Sequence, residues 1–210
     1  MHPNSVKPVN WNYQSFMKKF SLLVTALLAF AFTRAGSADS LQIAPDTATI
    51  KTIATATDTA VNWLTLDEAM RLQKQNPKKI FVEVYATWCG WCRKMEGNFT
   101  NPVIATYINN NYYPVKLNAE TRDALMFKGR SYKFINEGNF HVNELALFLL
   151  DYKQSYPGVV FLNEQGDKIN CSNGYMDAIM VENLANYYGS NAYREMSFAQ
   201  FEETFVGQVK

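Results

Sequence analysis

The 210-residue sequence predicts an α/β domain, with a mixed central β-sheet and helices on both of its faces, from three observations. Residues 80–86 form a mostly β-branched and aromatic run, which is typical of a strand buried on both faces. From residue 61 onward, strand-like and helix-like segments alternate. Near the end of this region, a turn at residues 163–166 joins two further strand-like segments as a hairpin. One domain with short appendages fits this chain length.

The N-terminal region has the pattern of a secretory signal peptide. Residues 17–38 begin with Met-Lys-Lys, continue with an apolar run at 20–32 and end in small residues. The run is too short for a comfortable membrane span, and cleavage after Ala35 and after Ala38 both fit. We therefore predict that residues 1–38 are an N-terminal extension and signal peptide. The mature protein is then exported, periplasmic or extracellular, without stable membrane insertion.

The remaining chain divides into three predicted parts. Residues 39–60 are predicted to be a flexible spacer, because 11 of the 17 positions from 44 to 60 are Thr or Ala and no apolar period is present. Residues 61–190 are predicted to form the folded domain. Residues 191–210 are predicted to form a short C-terminal helical extension.

The charge distribution argues against two classes of partner. Net charge is +1, but the residues ahead of 39 include no acidic residue and four basic ones: Lys7, Lys18, Lys19 and Arg34. The remainder carries 16 basic and 19 acidic residues. Because it has no basic stripe and no basic amphipathic helix, we expect it to bind neither nucleic acid nor a membrane surface.

A pair of cysteines directly follows the predicted central strand. Cys89 and Cys92 are separated by Gly90 and Trp91, and residues 93–96 are good helix formers. Such a junction places the first sulfur at a helix N-terminus, where free N–H groups and the helix dipole stabilise a thiolate. The second sulfur lies one turn along on the same face, close enough to form a disulfide. The enclosed loop is too short to stabilise the fold much, so we interpret the pair as a redox dithiol.

The third cysteine, Cys171, has a different interpretation. It alternates with Ile169 to the same face of a predicted strand at 167–171, which favours a small buried hydrophobic residue over a third redox thiol. A zinc site would need all three cysteines and His141, without a second ligand pair. No metal site is therefore predicted.

Glu83 is out of place in an otherwise apolar strand, six positions before Cys89. Burial of a carboxylate costs free energy unless the group is protonated, paired or used in chemistry. Two interpretations remain open. One is an edge position from which the side chain reaches water, and the other is a proton acceptor beneath the dithiol that serves Cys92.

The segment at 80–95 resembles the active site of the thioredoxin superfamily. In that family a Trp-Cys-x-x-Cys motif follows a central strand, which carries a buried acid six positions before the first cysteine. Here the motif is W-C-G-W-C, with Glu83 in the place of Asp and Trp91 in the place of Pro. The resemblance implies a thioredoxin fold and thiol–disulfide exchange.

Two downstream positions extend the resemblance. Lys116, in a strand-like segment at 112–117, matches a lysine that lies near the buried acid; a solvated strand residue is the alternative. Pro157 matches a cis proline that faces the dithiol; an ordinary trans turn proline is the alternative. The resemblance covers residues 61–190 and is strongest to exported proteins that share W-C-G-W-C and Y-P-x-x-x-F-L.

The resemblance also implies a role for each matching position. Cys89 attacks a substrate disulfide and Cys92 resolves the mixed disulfide, with help from Glu83. Pro157 aligns the substrate chain, and Lys116 supports the buried acid. The implied substrate-binding residues are Trp88, Gly90, Trp91, Tyr156 and Gly174. For the two tryptophans, simple core packing is the alternative.

Local signals also predict elements on both sides of the dithiol. Residues 61–63 are predicted to form a short first strand, and Thr65 and Glu68 have the spacing of a helix capping box. Between the two halves of the sheet, residues 127–134 alternate around a glycine turn, which predicts an inserted hairpin. A helix is predicted over 140–150, capped by Asn139.

Capping residues predict three further helices. Asn101, followed by Pro, begins one that runs to about residue 109, and Asp177 begins one that runs to about Tyr188. Ser197 opens a short C-terminal helix with a capping box. Three aromatic side chains of that segment are predicted to cover the core: Phe198, Phe201 and Phe205.

The predicted function is protein thiol–disulfide exchange. We favour an exported disulfide reductase over an isomerase or oxidase, although the direction depends on the reduction potential. A non-catalytic binding module with a thioredoxin fold is the alternative from a different class, and a thiol peroxidase is disfavoured because no peroxidatic motif is apparent. The expected partners are disulfide-containing protein substrates and a membrane thiol electron donor. The Cys89–Cys92 pair itself is the expected redox group, without a cofactor.

Overall fold

The computed structural model of the protein describes residues 59–138 and 140–210. The predicted signal peptide, most of the predicted spacer and Asn139 lie outside these residues. In chain order, the helices and strands are α1 (Leu66–Gln75), β1 (Lys79–Tyr85), α2 (Gly90–Glu96), α3 (Pro102–Asn111), β2 (Tyr112–Asn118), β3 (Leu125–Phe127), β4 (Arg130–Tyr132), β5 (Phe134–Glu137), β6 (Phe140–Asn143), α4 (Glu144–Leu149), β7 (Gly158–Leu162), β8 (Lys168–Asn173), α5 (Ala178–Gly189) and α6 (Phe198–Thr204). Within the described part of the chain, no helix is long and apolar enough to cross a membrane.

Four strands form the central sheet, in the order β2-β1-β7-β8. Strand β1 pairs with β2 in parallel and with β7 in antiparallel orientation, and β7 pairs antiparallel with β8. The apolar β1 therefore occupies an inner position and is buried along almost its whole length, as its composition predicts. The mixed sheet of the predicted thioredoxin fold is confirmed.

Each face of the sheet has its own apolar core, covered by helices. Ile80, Val82 and Val84 of β1 contribute to the core beneath α1 and α4. Phe81 contributes to the opposite core, beneath α2, α3 and α5. Because side chains alternate along a strand, Glu83 points to the same face as Phe81, towards the helix that follows the cysteines.

Four of the five helix starts predicted from capping signals are confirmed. Thr65 and Glu68 form a reciprocal capping box at α1, and Ser197 and Gln200 form another at α6. Single side-chain caps begin α3 and α5: Asn101 and Asp177. Three aromatic residues of the C-terminal segment pack against the core beneath α5, as predicted: Phe198, Phe201 and Phe205.

The predicted first strand at 61–63 is wrong. None of these three residues lies in a strand, and an isolated bridge to the sheet follows them, between Leu64 and Val115 of β2. The N–H of Val61 donates instead to the carbonyl of Phe99. Helix α1 begins directly after this bridge, so too few residues remain for a strand.

The insertion between β2 and α4 contains two hairpins where one was predicted. The predicted hairpin at 127–134 corresponds to β3 and β4, whose turn has positive φ at Lys128 and Gly129. Strands β5 and β6 form the second hairpin. Its strands are short and are separated by a glycine turn, which periodicity alone did not distinguish from a helix start.

The predicted helix at 140–150 therefore begins too early. Its first four residues are strand β6, and α4 starts at Glu144 because the Asn143 side chain caps it. The fully buried Asn143 also donates to the carbonyl oxygens of Thr121 and Asp123. Asn143 thus ties the insertion to the end of the central sheet.

Strand β8 contains a bulge that the sequence did not reveal. Ile169 stands between Lys168 and Asn170, which are paired with successive residues of β7. An extra residue shifts the alternation of side chains by one position. Ile169 therefore packs against the core beneath α5, and Cys171 against the opposite core, so the prediction that they share a face is wrong.

Candidate active site

The junction between β1 and α2 brings the two cysteines together at a helix start. Cys89 is the N-cap of α2, and its Sγ accepts a hydrogen bond from the Cys92 N–H at 3.0 Å. The two residues form a disulfide, with their Cα atoms 5.3 Å apart. An N–H aimed at Cys89 Sγ favours negative charge on that sulfur, which is the condition for a nucleophilic thiolate.

Both cysteines are buried in the disulfide form. Cys89 is 4% exposed and Cys92 is 5% exposed, so the prediction of an exposed Cys89 is wrong for this form. Ala86, Tyr85 and Tyr156 pack around the pair. Tyr85 and Tyr156 are only partly buried, so access to Cys89 depends on side chains at the rim of the site.

Glu83 is almost fully buried beneath the pair, with 1% of its surface exposed. Its Oε2 has no hydrogen-bond partner among the described residues. Burial raises the pKa of Glu83 to about 7, Lys116 opposes this increase, and Glu96 adds to it. The interpretation of Glu83 as an edge residue that reaches water is wrong. Its role as a proton acceptor stays a proposal.

A small cavity of about 100 Å³ lies beside the disulfide. It is large enough to hold water. The titratable and charged side chains that line it are Glu83, Tyr85, Cys92, Arg93, Glu96 and Lys116. The cavity therefore gives the buried carboxyl group and Cys92 a common space through which a proton can pass.

Lys116 lies next to Glu83 in the parallel register of β1 and β2. Its Nζ, however, donates to Glu96 Oε1 and lies 5.2 Å from the ring centroid of Tyr85. The sequence analysis missed Glu96. Its position four residues after Cys92 was the available signal, because that spacing places both side chains on one face of a helix.

The Tyr156–Pro157 peptide bond is cis, so the alternative of a trans turn proline is wrong. The Pro157 carbonyl accepts a hydrogen bond from the Gly174 N–H at 2.8 Å. Gly174 has a φ of 98°, a conformation that favours glycine. Its N–H is engaged by the Pro157 carbonyl within the protein. Burial, with a contribution from Glu120, raises the pKa of Tyr156 to about 12.

Both tryptophans of the motif lie on the surface beside the disulfide. Trp88 is 69% exposed and Trp91 is 57% exposed, so the core-packing alternative is wrong. Trp88 contacts Tyr156, with ring centroids 6.1 Å apart, and Trp91 contacts Tyr175 at 5.2 Å. The Lys94 ammonium lies 4.8 Å from the Trp91 ring centroid and 4.7 Å from that of Tyr175. Tyr175 and Lys94 were not predicted as site residues.

The base of the motif is held by contacts to Thr87. Glu120 Oε2 accepts hydrogen bonds from the Thr87 N–H at 2.7 Å and from its hydroxyl at 2.6 Å. Arg93 donates to the Thr87 carbonyl at 3.3 Å. The exposed Gly90 is the first residue of α2. Sequence reasoning missed Glu120 because it lies 33 residues from Thr87 and belongs to no motif.

Cys171 is free and partly buried, rather than fully buried as predicted. Its Sγ donates to Asp151 Oδ2 at 2.9 Å, and burial together with this contact raises the pKa of the thiol. A raised pKa keeps the group in the unreactive thiol form. Across residues 59–138 and 140–210, no group of three or more His, Cys, Asp or Glu side chains is placed to hold a metal ion.

Comparison with protein families identifies the class of this domain. The model of the Thioredox_DsbH family, described as "Protein of unknown function, DUF255", matches residues 47–190. The chain belongs to this family. Membership confirms the resemblance to thioredoxin-like proteins. Together with the Cys-x-x-Cys pair, it supports thiol–disulfide exchange as the general chemistry of the Thioredox_DsbH domain, with disulfide-containing molecules as the general kind of partner.

Solved structures are similar to parts of the chain. A thioredoxin-fold protein from Helicobacter pylori is 17% identical with a TM-score of 0.47, over 61% of this chain and 80% of its own. A DsbH oxidoreductase is 19% identical with a TM-score of 0.40, over 65% and 83%. A putative disulphide-isomerase from Bacteroides thetaiotaomicron is 22% identical with a TM-score of 0.44, over 64% and 97%. No curated protein matches the chain.

Proposed function

We propose that the protein is an exported thiol–disulfide oxidoreductase that reduces disulfides of protein substrates through Cys89 and Cys92. The observation that carries the proposal is the arrangement around the pair. Cys89 caps a helix and accepts the Cys92 N–H, and Cys92 borders a cavity that contains the Glu83 carboxyl group. The proposal assigns the nucleophile to Cys89, the resolving thiol to Cys92 and the proton acceptor to Glu83.

The first step is the attack of the reduced protein on its substrate. The Cys89 thiolate forms a bond to one sulfur of the substrate disulfide, and the substrate S–S bond breaks. The second substrate sulfur leaves as a thiolate and takes a proton from water. The Cys92 N–H stabilises the attacking thiolate before the bond forms.

In the second step, Cys92 resolves the mixed disulfide. Its thiol passes a proton to the Glu83 carboxylate, and the resulting thiolate attacks Cys89 Sγ. The Cys89–Cys92 bond forms and the remaining substrate sulfur leaves as a thiolate, so two electrons have passed from the protein to the substrate. A pKa of about 7 suits Glu83 to this task, since the carboxyl group both accepts and releases a proton near neutral pH.

The surface around the pair is suited to a polypeptide substrate. Trp88 and Trp91 are exposed aromatic side chains on either side of Cys89, and such side chains dominate the energetics of protein interfaces. Tyr156 contacts Trp88 and packs against the cysteines, and the proposal assigns the alignment of the substrate chain to Pro157, which follows it. Gly90 is the exposed first residue of α2 and adds no side chain beside Cys89. The Gly174 N–H donates to the Pro157 carbonyl.

Export of the protein and the direction of electron transfer are further parts of the proposal. The signal pattern at 17–38 supports export. A reductase outside the cytoplasm needs electrons from across a membrane, so we propose a membrane dithiol that reduces Cys89–Cys92 by the same exchange in the opposite direction. The disulfide itself is the redox group.

The reduction potential tests the direction. It is measured in glutathione buffers, through the fluorescence of the two tryptophans beside the disulfide. A value of about −270 mV supports a reductase, whereas a value of about −120 mV indicates an oxidant and overturns the proposed direction of electron transfer. The absence of any redox transition favours the binding-module alternative and overturns the proposal as a whole.

Insulin reduction tests the residue roles. Cys89→Ser is expected to abolish exchange, because the attacking sulfur is lost. Cys92→Ser is expected to accumulate mixed disulfides, because the resolving step is blocked. Full insulin reduction by Cys89→Ser would reject the assignment.

A further inference from the structure

Lys116 has two acidic neighbours, and its ammonium group binds the outer one. Glu83 lies beside it in the register of β1 and β2, whereas Glu96 reaches it from α2. The ammonium donates to Glu96 Oε1, and Glu83 Oε2 has no hydrogen-bond partner within the described part of the chain. The cation that could neutralise the buried carboxylate is therefore engaged elsewhere.

The contact between Lys116 and Glu96 lies at the solvent side of the cavity. The Lys116 side chain is 25% exposed and that of Glu96 is 53% exposed. Ion pairs that are this accessible contribute little to folding stability. The main effect of the ion pair is therefore to fix the position of the Lys116 ammonium.

Side chains from three neighbouring elements surround Glu83. Strand β2 contributes Lys116, β7 contributes the apolar Val159 at the paired position, and α2 contributes three groups: Cys92, Arg93 and Glu96. Tyr85, from β1 itself, completes the set. Arg93 donates to the Thr87 carbonyl. Among the charged groups lining the cavity, Lys116 is the cation in register with Glu83. Glu96 is the direct hydrogen-bond partner of Lys116.

We propose that Glu96 is a positioning residue for the exchange reaction. By holding the Lys116 ammonium at the solvent side of the cavity, it prevents a fixed ion pair with Glu83 and leaves that carboxyl group able to take up the Cys92 proton at neutral pH. This inference rests on the proposed function, and it concerns the control of the proton step.

The charges predict opposite effects for the two partners. Lys116 lowers the pKa of Glu83 and Glu96 raises it. In Glu96→Gln, Lys116 loses its partner and turns its full charge towards Glu83, so the carboxyl group should ionise at lower pH. In Lys116→Met, the stabilising cation is removed, so Glu83 should ionise at higher pH. Mere disruption of local structure would not produce opposite signs.

The first experiment is a ¹³C NMR titration of the Glu83 carboxyl group in the oxidised protein. The disulfide does not titrate, so this measurement does not depend on exchange activity. We expect the midpoint to fall by about one pH unit in Glu96→Gln and to rise by a similar amount in Lys116→Met. In the Lys116→Met background, Glu96→Gln should lower the midpoint by a smaller amount, because only the direct repulsion between the two carboxylates is then removed.

Glu203→Gln is the matched control, since Glu203 is exposed on α6 and does not line the cavity. It removes the same charge and should leave the midpoint unchanged. An unchanged or higher midpoint in Glu96→Gln overturns the inference. Equal effects of Glu96→Gln with and without Lys116 overturn it as well, since Glu96 would then act directly.

The second experiment follows the reduced protein. The rate of mixed-disulfide resolution is measured against pH, and its acidic limb should move in Glu96→Gln by the same amount as the Glu83 midpoint. If Glu83 responds to both partners but the wild-type protein exchanges no disulfide, the proposed function fails and the charge arrangement stands. If exchange proceeds but its pH profile is the same in wild type and Glu96→Gln, the positioning role fails and the proposed function stands.

Discussion

Trp88 contacts Tyr156 edge to face, with 6.1 Å between the ring centroids. Trp88 directly precedes Cys89, and Tyr156 directly precedes Pro157, so this contact joins two segments that are distant in sequence. Tyr156 packs against the buried cysteines while Trp88 remains on the surface. The two rings form an apolar rim above sulfurs that are themselves almost inaccessible.

We expect Trp88→Ala to weaken substrate binding with little effect on folding. Loss of an exposed aromatic contact from an interface costs about 1.4 kcal/mol, which corresponds to about a tenfold decrease in kcat/KM for insulin. A small disulfide, which does not need the rim, should be reduced at nearly the wild-type rate. Tyr152→Ala, at another highly exposed aromatic residue, is the control and should change neither rate. Equal losses for insulin and the small disulfide would contradict a docking role.

Glu83→Gln is expected to make the oxidised protein more stable at high pH. The pKa of Glu83 is about 7 in the folded protein, above its ordinary value of 4.5, so the folded state binds the proton more tightly. The wild-type protein therefore loses stability as pH rises between these values, by up to about 3 kcal/mol. Glutamine stays neutral and avoids this loss.

Urea unfolding of the oxidised proteins at about pH 4.5 and about pH 8 measures the effect. The advantage of the Gln variant over wild type should be larger at the higher pH. A difference that is the same at both pH values would show that Glu83 ionises normally in the folded protein.

Gly174→Ala is expected to destabilise the protein by about 1–2 kcal/mol, because a side chain is strained at a φ of 98°. The same strain should weaken the hydrogen bond from the Gly174 N–H to the Pro157 carbonyl. We therefore expect the rate of disulfide exchange to fall as well. Gly97→Ala is the matched control: Gly97 has a φ of −59°, and its added Cβ would meet nothing within 4 Å. Thermal unfolding of both variants makes the comparison, and equal effects would contradict the argument from φ.

Cys171→Ser should leave disulfide exchange within about twofold of the wild-type rate. The serine hydroxyl retains a donor for Asp151, and the raised pKa of the Cys171 thiol already argues against thiolate chemistry at that position. Insulin reduction and the reduction potential are the measurements. A large loss of activity, or a shift in the potential, would make Cys171 part of the redox machinery.

Features that depend on a few neighbouring residues were predictable from the sequence. The caps at Thr65, Asn101, Asp177 and Ser197 all form as expected, because a cap needs a side chain and N–H groups within three positions. The spacing of the cysteine pair at the end of a buried strand was equally local. Such features require no knowledge of which distant segments pack together.

Insertions and irregular strands were harder to predict. The second hairpin, at β5 and β6, and the bulge at Ile169 each depend on which strand lies alongside and in which register. A one-residue change in register moves every following side chain to the other face, so alternation in the sequence placed Cys171 on the wrong side relative to Ile169.

The sequence by itself predicted the kind of chemistry, from a dithiol at a helix start, and left open whether Glu83 is buried beneath it or reaches water. The tertiary structure decided how the site is controlled. It buries Cys89 under Tyr156, draws Lys116 to Glu96, and anchors Thr87 through Glu120 from 33 residues away. These contacts join separate strands and loops, and their energies depend on distances and burial that arise only when the sheet and its helices pack together.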